Sequence, residues 1–325
     1  MNDAGLLAAI RALGLIAPNE AAKFRPMTGG VSSDVFLVQS AAGPDLIVKR
    51  SIPKLRVEAD WRAPVARDAQ EVAWLRTVRE IDPHLAPEVL AWSPEQHLFV
   101  MERRSGAVWK QAMAEGRIDP GFAGQAGRAL SRVHTATTAR VVIAARFPDP
   151  SNFAALRIDP FILYTAERHP DVAARLKALA ADLQSRRTAL IWGDASPKNI
   201  LVAADGPVFL DAETATMGDP AFDLAFCLAH LLLKTVWLAP QTPALLASFA
   251  ALRDAYLAGF EADASFGTRA ASLIGALLLA RVDGKSPAGY LDADQDEIVR
   301  RRAKWMLAHP NLDLAGLPGF WRTLA

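Results

Sequence analysis

Leu190-Ile-Trp-Gly-Asp-Ala-Ser-Pro-Lys-Asn-Ile-Leu-Val202 and then Val208-Phe-Leu-Asp-Ala-Glu213 decide how this chain is read. A β-type run, Ala189-Leu-Ile-Trp192, enters Gly193-Asp194, and Asn199 follows five residues after the aspartate. Ile200-Leu-Val202 and Val208-Phe-Leu210 read as two short strands joined through Ala204-Asp-Gly206, a hairpin signal. Asp211 falls twelve residues after Asn199, at the end of the second strand, with Glu213 two further. The pattern sets a carboxylate, an amide and one or two more carboxylates at the mouths of adjacent strands. A hard cation such as Mg2+ takes oxygen ligands and is held by few protein groups plus substrate phosphates, which suits Asp211 and Asn199. Asp194 stands one loop away, where a carboxylate accepts a hydroxyl proton and aims the oxygen at phosphorus. Singly these residues are most often a turn, a cap and a surface charge; their joint spacing points to phosphoryl transfer.

Outward from this stretch, the first hundred residues read as strands with one helix. Asp34-Val-Phe-Leu-Val-Gln39, Asp45-Leu-Ile-Val-Lys49, Val89-Leu-Ala-Trp92 and Leu98-Phe-Val-Met101 are β-rich runs, and Ala41-Ala-Gly-Pro44 is a turn. Val65, Ala69, Val72, Leu75 and Val78 mark one face of a helix opened by Pro64. Leu6, Leu7, Ile10 and Leu13 give an amphipathic N-terminal helix. After Ser105-Gly106 the pattern is helical except between 188 and 210. The expectation is an α+β, bilobal chain: a small β-rich N-lobe over 1–104 and a large helical C-lobe over 105–325. The 325 residues carry 36 Lys+Arg against 35 Asp+Glu, so a generically basic nucleic-acid binder is excluded. A chain of this length buries roughly 75% of its unfolded surface and needs no staple. No run reaches the roughly 18 apolar residues of a membrane span, and the lone cysteine, Cys227, allows no internal disulfide. A cytoplasmic protein with no membrane and no nucleic-acid partner is expected.

Gly193-Asp194, Asn199, Asp211 and Gly218-Asp-Pro-Ala-Phe-Asp223 resemble the aminoglycoside phosphotransferase and choline kinase group, small-molecule kinases related to protein kinases. The resemblance implies a protein-kinase-like fold, ATP and Mg2+ as cofactors and a small-molecule alcohol as partner. It implies that Asp194 is the catalytic aspartate, that Asn199 and Asp211 hold Mg2+, and that Asp223 is a buried anchor for the catalytic loop. Within Thr28-Gly29-Gly30-Val31-Ser32-Ser33, the glycines let backbone N–H groups approach phosphate oxygens. Lys49 would sit as a point charge on the α- and β-phosphates. Glu71, near the apolar side of its helix, is the natural partner of Lys49, whereas Asp68 is expected to face solvent. Glu102 falls where a hinge presents main chain to adenine. Residues 46–75, with Asp211-Ala-Glu213 and the run 222–233, also resemble methylthioribose kinases, which adds Glu213 to the magnesium shell and leaves the insert after Lys49, with Arg56 and Trp61, to cap the nucleotide or shape the substrate mouth, or else as a surface loop held by Trp61.

The chain departs from the group in having Trp192 where most members have histidine before Gly-Asp. An indole donates but does not accept, so a differently set loop is expected, and a nucleotide-binding scaffold without transfer activity is the alternative reading. His134 is expected to pack or cap. Arg281 either lines the substrate cleft or merely ends a helix, and Arg300-Arg301-Arg302 reads first as a solvated face. Residues 235–325 hold nine acidic and nine basic residues; that balance disfavours a polycationic aminoglycoside and permits a sugar, a nucleoside-like or an amino alcohol. A monomer or homodimer is expected.

Overall fold

The computed structural model describes residues 3–27, 32–41, 43–56 and 61–323. Gly29 and Gly30 of the expected phosphate loop lie outside these residues, as does the tip of the insert after Lys49. The chain divides into two compact units, Met1–Ser105 and Gly106–Ala325, and its fold class is α+β.

The first unit is a five-stranded antiparallel sheet in the order β1-β2-β3-β5-β4. Its strands are β1 (Ala22–Pro26), β2 (Ser33–Ser40), β3 (Leu46–Ser51), β4 (Val89–Ser93) and β5 (Leu98–Glu102). β1 escapes the sequence reading because Lys23 and Arg25 dilute it and Pro26 ends it, as suits an edge strand. Helix α1 (Asp3–Ala12) buries Leu6 and Ile10 against Val38, Val48 and Val100. Helix α2 (Asp68–Ile81) packs on β4 and β5 through a buried face that includes Val72, Leu75 and Val78. Lys49 lies within β3, opposite Val35 and Phe99, rather than at the strand end.

In the second unit, β6 (Ala107–Val108), β8 (Ile200–Ala203) and β9 (Gly206–Phe209) form a three-stranded sheet, and β7 (Ala189–Ile191) pairs with β10 (Thr216–Gly218). The rest is helical. Helix α3 (Trp109–Ala114) follows β6, and α4 (Pro120–Thr137) packs against the helix Thr242–Gly259. At their crossing a β-carbon on Gly127 would run into the backbone of Leu252, so only glycine allows the approach. The helix Ala221–Trp237 is buried on every side, as its all-round apolar sequence dictates. Thr242–Gly259, Phe266–Asp283 and Ala293–Ala308 pack against it. No single helix among the described residues is long and apolar enough to cross a membrane.

Candidate active site

The β7–β8 loop is fixed from below by one carboxylate. Asp223 is fully buried in the first turn of its helix, where acidic groups are favoured. It accepts from Trp192 N (2.6 Å, Oδ2) and Gly193 N (2.8 Å, Oδ1). His134 Nε2 lies 3.2 Å from Asp223 Oδ2 and His134 Nδ1 lies 2.8 Å from Tyr256 Oη, so the anchor extends to two further helices. Burial, with Asp223 and Asp219 nearby, pushes the Tyr256 hydroxyl pKa well above its usual value. Gly193 adopts φ 76°, and a β-carbon there would lie 2.5 Å from Thr214 Oγ1, so no other residue fits.

Trp192 does not loosen the loop. Its indole is buried and packs on Phe209 with centroids 4.8 Å apart. Its Nε1–H donates to the carbonyl of Asp211 at 3.1 Å, and its own carbonyl accepts from Thr214 Oγ1 at 3.2 Å. These contacts tie the loop to the Asp211 backbone. That backbone is held at φ 63°, a left-handed conformation uncommon for a non-glycine residue.

Asp194, 3% exposed, is loaded on one side. Oδ2 accepts from Asn199 Nδ2 (2.7 Å) and pairs with Arg157 Nη2 (3.0 Å) and Lys198 Nζ (3.1 Å). Among the described residues no side-chain hydrogen bond reaches Oδ1. Arg157 also donates to Gly193 O (2.6 Å) and Leu156 O (2.6 Å). Sequence reasoning missed it, because Arg157 reaches the loop from a ten-residue π-helix, Ala154–Leu163, interrupted by Pro160. The proline inside an apolar helical run was the available signal, since wide helical turns gather at functional sites.

The hairpin brings the expected cation ligands into neighbouring positions. Ile200 pairs with Phe209, and Leu210 N donates to Asn199 O at 2.9 Å, so Asp211 follows directly beyond the residue bonded to Asn199. Both contacts of Asn199 Nδ2 go to Asp194, at 2.7 Å and 3.1 Å, which commits the nitrogen and leaves the amide oxygen as the atom a hard cation would take. Glu213 is buried, 6% exposed. Among the described residues no cluster of three or more His, Cys, Asp or Glu side chains forms a protein-only metal cage. The donor set fits Mg2+, which keeps water and substrate oxygens in its shell and needs few protein oxygens.

In the first unit, Lys49 Nζ donates to both oxygens of Glu71, at 2.8 Å and 2.7 Å, with both side chains buried. Asp68 corrects its expectation: it is buried, 2% exposed, and accepts from Trp92 Nε1 at 2.8 Å with His97 Nδ1 at 3.4 Å. It faces β4 and the β4–β5 turn, where an indole N–H answers its charge, and the Lys49 pair is left to Glu71. Ser32 and Ser33 are buried at the start of β2. Arg67, fully buried and unforeseen, donates to Ser32 O, Ile52 O (2.9 Å) and Pro64 O (2.7 Å), so both ends of the insert after β3 are tied together and to the residue before β2. Trp61 is buried and Arg56 pairs with Asp34. Glu102 ends β5, its backbone N–H donating to Glu88 O at 3.0 Å and its carboxylate facing Arg79 and Arg104.

Comparison with known proteins fits this geometry. The model of the phosphotransferase enzyme family matches residues 23–265. A choline/ethanolamine kinase family protein from Mesorhizobium loti superimposes with a TM-score of 0.58 at 16% identity, over 98% of this chain and 99% of that one. A choline kinase from Cryptosporidium parvum gives 0.59 at 13%, over 98% and 100%. An amicoumacin kinase in complex with AMP-PNP and Ca2+ gives 0.60 at 15%, over 95% and 94%. At these identities the likeness is one of fold, that of the protein-kinase-like small-molecule kinases. No curated protein sequence matches the chain.

Proposed function

The chain belongs to the phosphotransferase enzyme family, and from that premise we propose that it moves the γ-phosphoryl group of ATP, with Mg2+, onto a hydroxyl of a small molecule. The observation that carries this reading is the one-sided loading of Asp194. The Asn199 amide donates to Oδ2, and Arg157 and Lys198 pair with the same oxygen, which fixes the carboxylate plane so that Oδ1 can receive an incoming hydroxyl.

Asp194 Oδ1 first orients the hydroxyl in line with the γ-phosphorus. It takes the proton as the new O–P bond forms and the bond from that phosphorus to the β-bridging oxygen breaks, releasing ADP. Because such transition states are loose, positioning and charge neutralisation carry most of the acceleration. Asn199 Oδ1, Asp211 and Glu213 are the ligands proposed for Mg2+, which would neutralise phosphate charge when bound. Lys49, aimed by Glu71, is proposed for the α- and β-phosphates, Gly29, Gly30, Ser32 and Ser33 for the phosphate loop, and the Glu102 main chain for adenine. The hydrogen bond from Trp192 to the Asp211 carbonyl supports an active loop over an inert scaffold.

The test is Mg2+-dependent ATP turnover with a panel of small alcohols, beside Asp194→Asn. Stimulation by one alcohol that disappears in the variant is the expected result. Tight Mg2+·ATP binding with identical background turnover in both proteins would sink the transfer reading in favour of the scaffold.

A further inference from the structure

In the Gly106–Ala325 unit a group of cations beside Asp194 has no carboxylate of its own. Lys234 is fully buried in the helix Ala221–Trp237, and its Nζ has no hydrogen-bond partner. It stands 5.0 Å from the Tyr290 ring centroid and 5.9 Å from that of Trp237, the two rings being 4.6 Å apart. Lys110, from α3, approaches the same tyrosine at 4.8 Å. Arg281, in the last turn of the helix Phe266–Asp283, donates Nη1 to Ser286 O and Oγ, while its Nε is unpartnered. Tyr290 Oη is a third buried polar atom left without a partner. Among the described residues none of Lys110, Lys234 and Arg281 forms an ion pair. The acid next along the chain, Asp283, is taken by Arg300 (2.7 Å and 2.9 Å) and His169 (2.8 Å).

This group adjoins the reacting carboxylate. Arg281 and Arg157 lie over the same Phe161 ring, at 5.9 Å and 5.6 Å, and Arg157 pairs with Asp194. Arg281 also feels the charges of Asp194 and Arg157, and Lys110 those of Arg281 and Lys198. Burial, then Lys110 and Arg281, lowers the Lys234 ammonium to about 7, against a weak opposing pull from Cys227. His230, one turn earlier, is held well below its usual value, by burial first and by the same cations after it, and so remains neutral. Tyr290 is pushed up to about 12 by burial and stays a neutral donor.

Positive groups that face one another at a reacting centre, with donors unspent and no acid among them, are complementary to an anion. We propose that Lys110, Lys234, Arg281 and the Tyr290 hydroxyl receive the carboxylate or phosphate of the acceptor, so that the substrate is an anionic alcohol, a hydroxy acid or a phosphorylated alcohol. The inference rests on the phosphotransferase reading, and it narrows the acceptor class against neutral sugars and amino alcohols.

The experiment pairs binding with turnover on the full chain. Glycerol 3-phosphate, glycerate, glycerol and ethanolamine are titrated calorimetrically into nucleotide-free protein and then offered as acceptors with Mg2+·ATP. Both anionic probes, or one of them, should bind, with proton uptake near pH 8 as Lys234 recharges; which one binds tells phosphate from carboxylate. Lys234→Met and Arg281→Met should each raise the anionic acceptor's KM about tenfold or more, the loss of one charged contact, with a smaller change in the KM for ATP. Binding of an anion that is not phosphorylated would uphold the anion site while counting against the transfer reading for that acceptor. Absence of heat with both anionic probes would overturn the inference whatever the turnover shows. So would glycerol or ethanolamine being phosphorylated as well as the anions, or the two variants raising the KM for ATP alone; either result would leave the phosphotransferase reading standing.

Discussion

Lys49 and Lys234 are both buried lysines, one in each unit, and their surroundings are opposite. Lys49 shares its charge with both oxygens of Glu71, whereas Lys234 has two aromatic rings and two neighbouring cations. A cation–π contact contributes about 0.5–2 kcal/mol, less than the several kcal/mol that taking an ion out of water costs. The result is the low pKa of Lys234. A cation compensated from within is a fixed tool, its direction set by its partner. One left uncompensated is completed only by something from outside.

Both lysines belong to one reaction only if Asp194 is its centre, and removing that carboxylate is the largest perturbation expected. Asp194→Asn should lower turnover by about 10^2 to 10^4, the usual reach of a general base, with Mg2+·ATP binding retained by calorimetry. Next in size, Glu71→Gln breaks the buried Lys49–Glu71 pair and should cost about 3–5 kcal/mol of stability, read as a fall in Tm and a rise in the KM for ATP. The same kind of change in the other unit should act with the opposite sign. Lys234 has a folded pKa of about 7 against about 10.4 unfolded. Between those values the unfolded chain binds more protons, so stability rises with pH across that window and the penalty is complete below it. Lys234→Met should therefore raise Tm most near pH 6, by up to about 5 kcal/mol of stability, and by little near pH 10. A gain equal at both pH values would show that Lys234 is compensated after all.

Legibility in the sequence follows the range of the interactions. Asp194, Asn199 and Asp211 were readable because one loop and one hairpin hold them, and that spacing survives in the chain. Glu71 was readable from its place beside the apolar face of α2. Asp68 was not, because the indole that answers it comes from β4. Arg157 and Arg67 act on backbone far away in sequence and left only Pro160 and a buried helix start as traces. The charge count over 235–325 is balanced, but a count does not tell which charges pair with which. Asp283 and Asp263 are spent on Arg300 and Arg269, while Arg281 is left beside Lys234 and Lys110, the latter from outside that stretch.

The smallest expected effect tests whether the first unit's logic, a donor matched to a fixed acceptor, also governs the loop at Trp192. Trp192→Phe keeps an aromatic ring against Phe209 and deletes the N–H that meets the Asp211 carbonyl. Losing that part-buried hydrogen bond should cost about 0.5–1.5 kcal/mol. Because that bond meets the carbonyl of Asp211, whose φ is 63°, the Mg2+ concentration needed for half-maximal turnover should rise severalfold, with acceptor KM little changed. A loss of stability with an unaltered Mg2+ dependence would make the indole a packing element only. A raised Mg2+ requirement would show that tryptophan, by donating to one carbonyl, does here what sets the metal ligand in place.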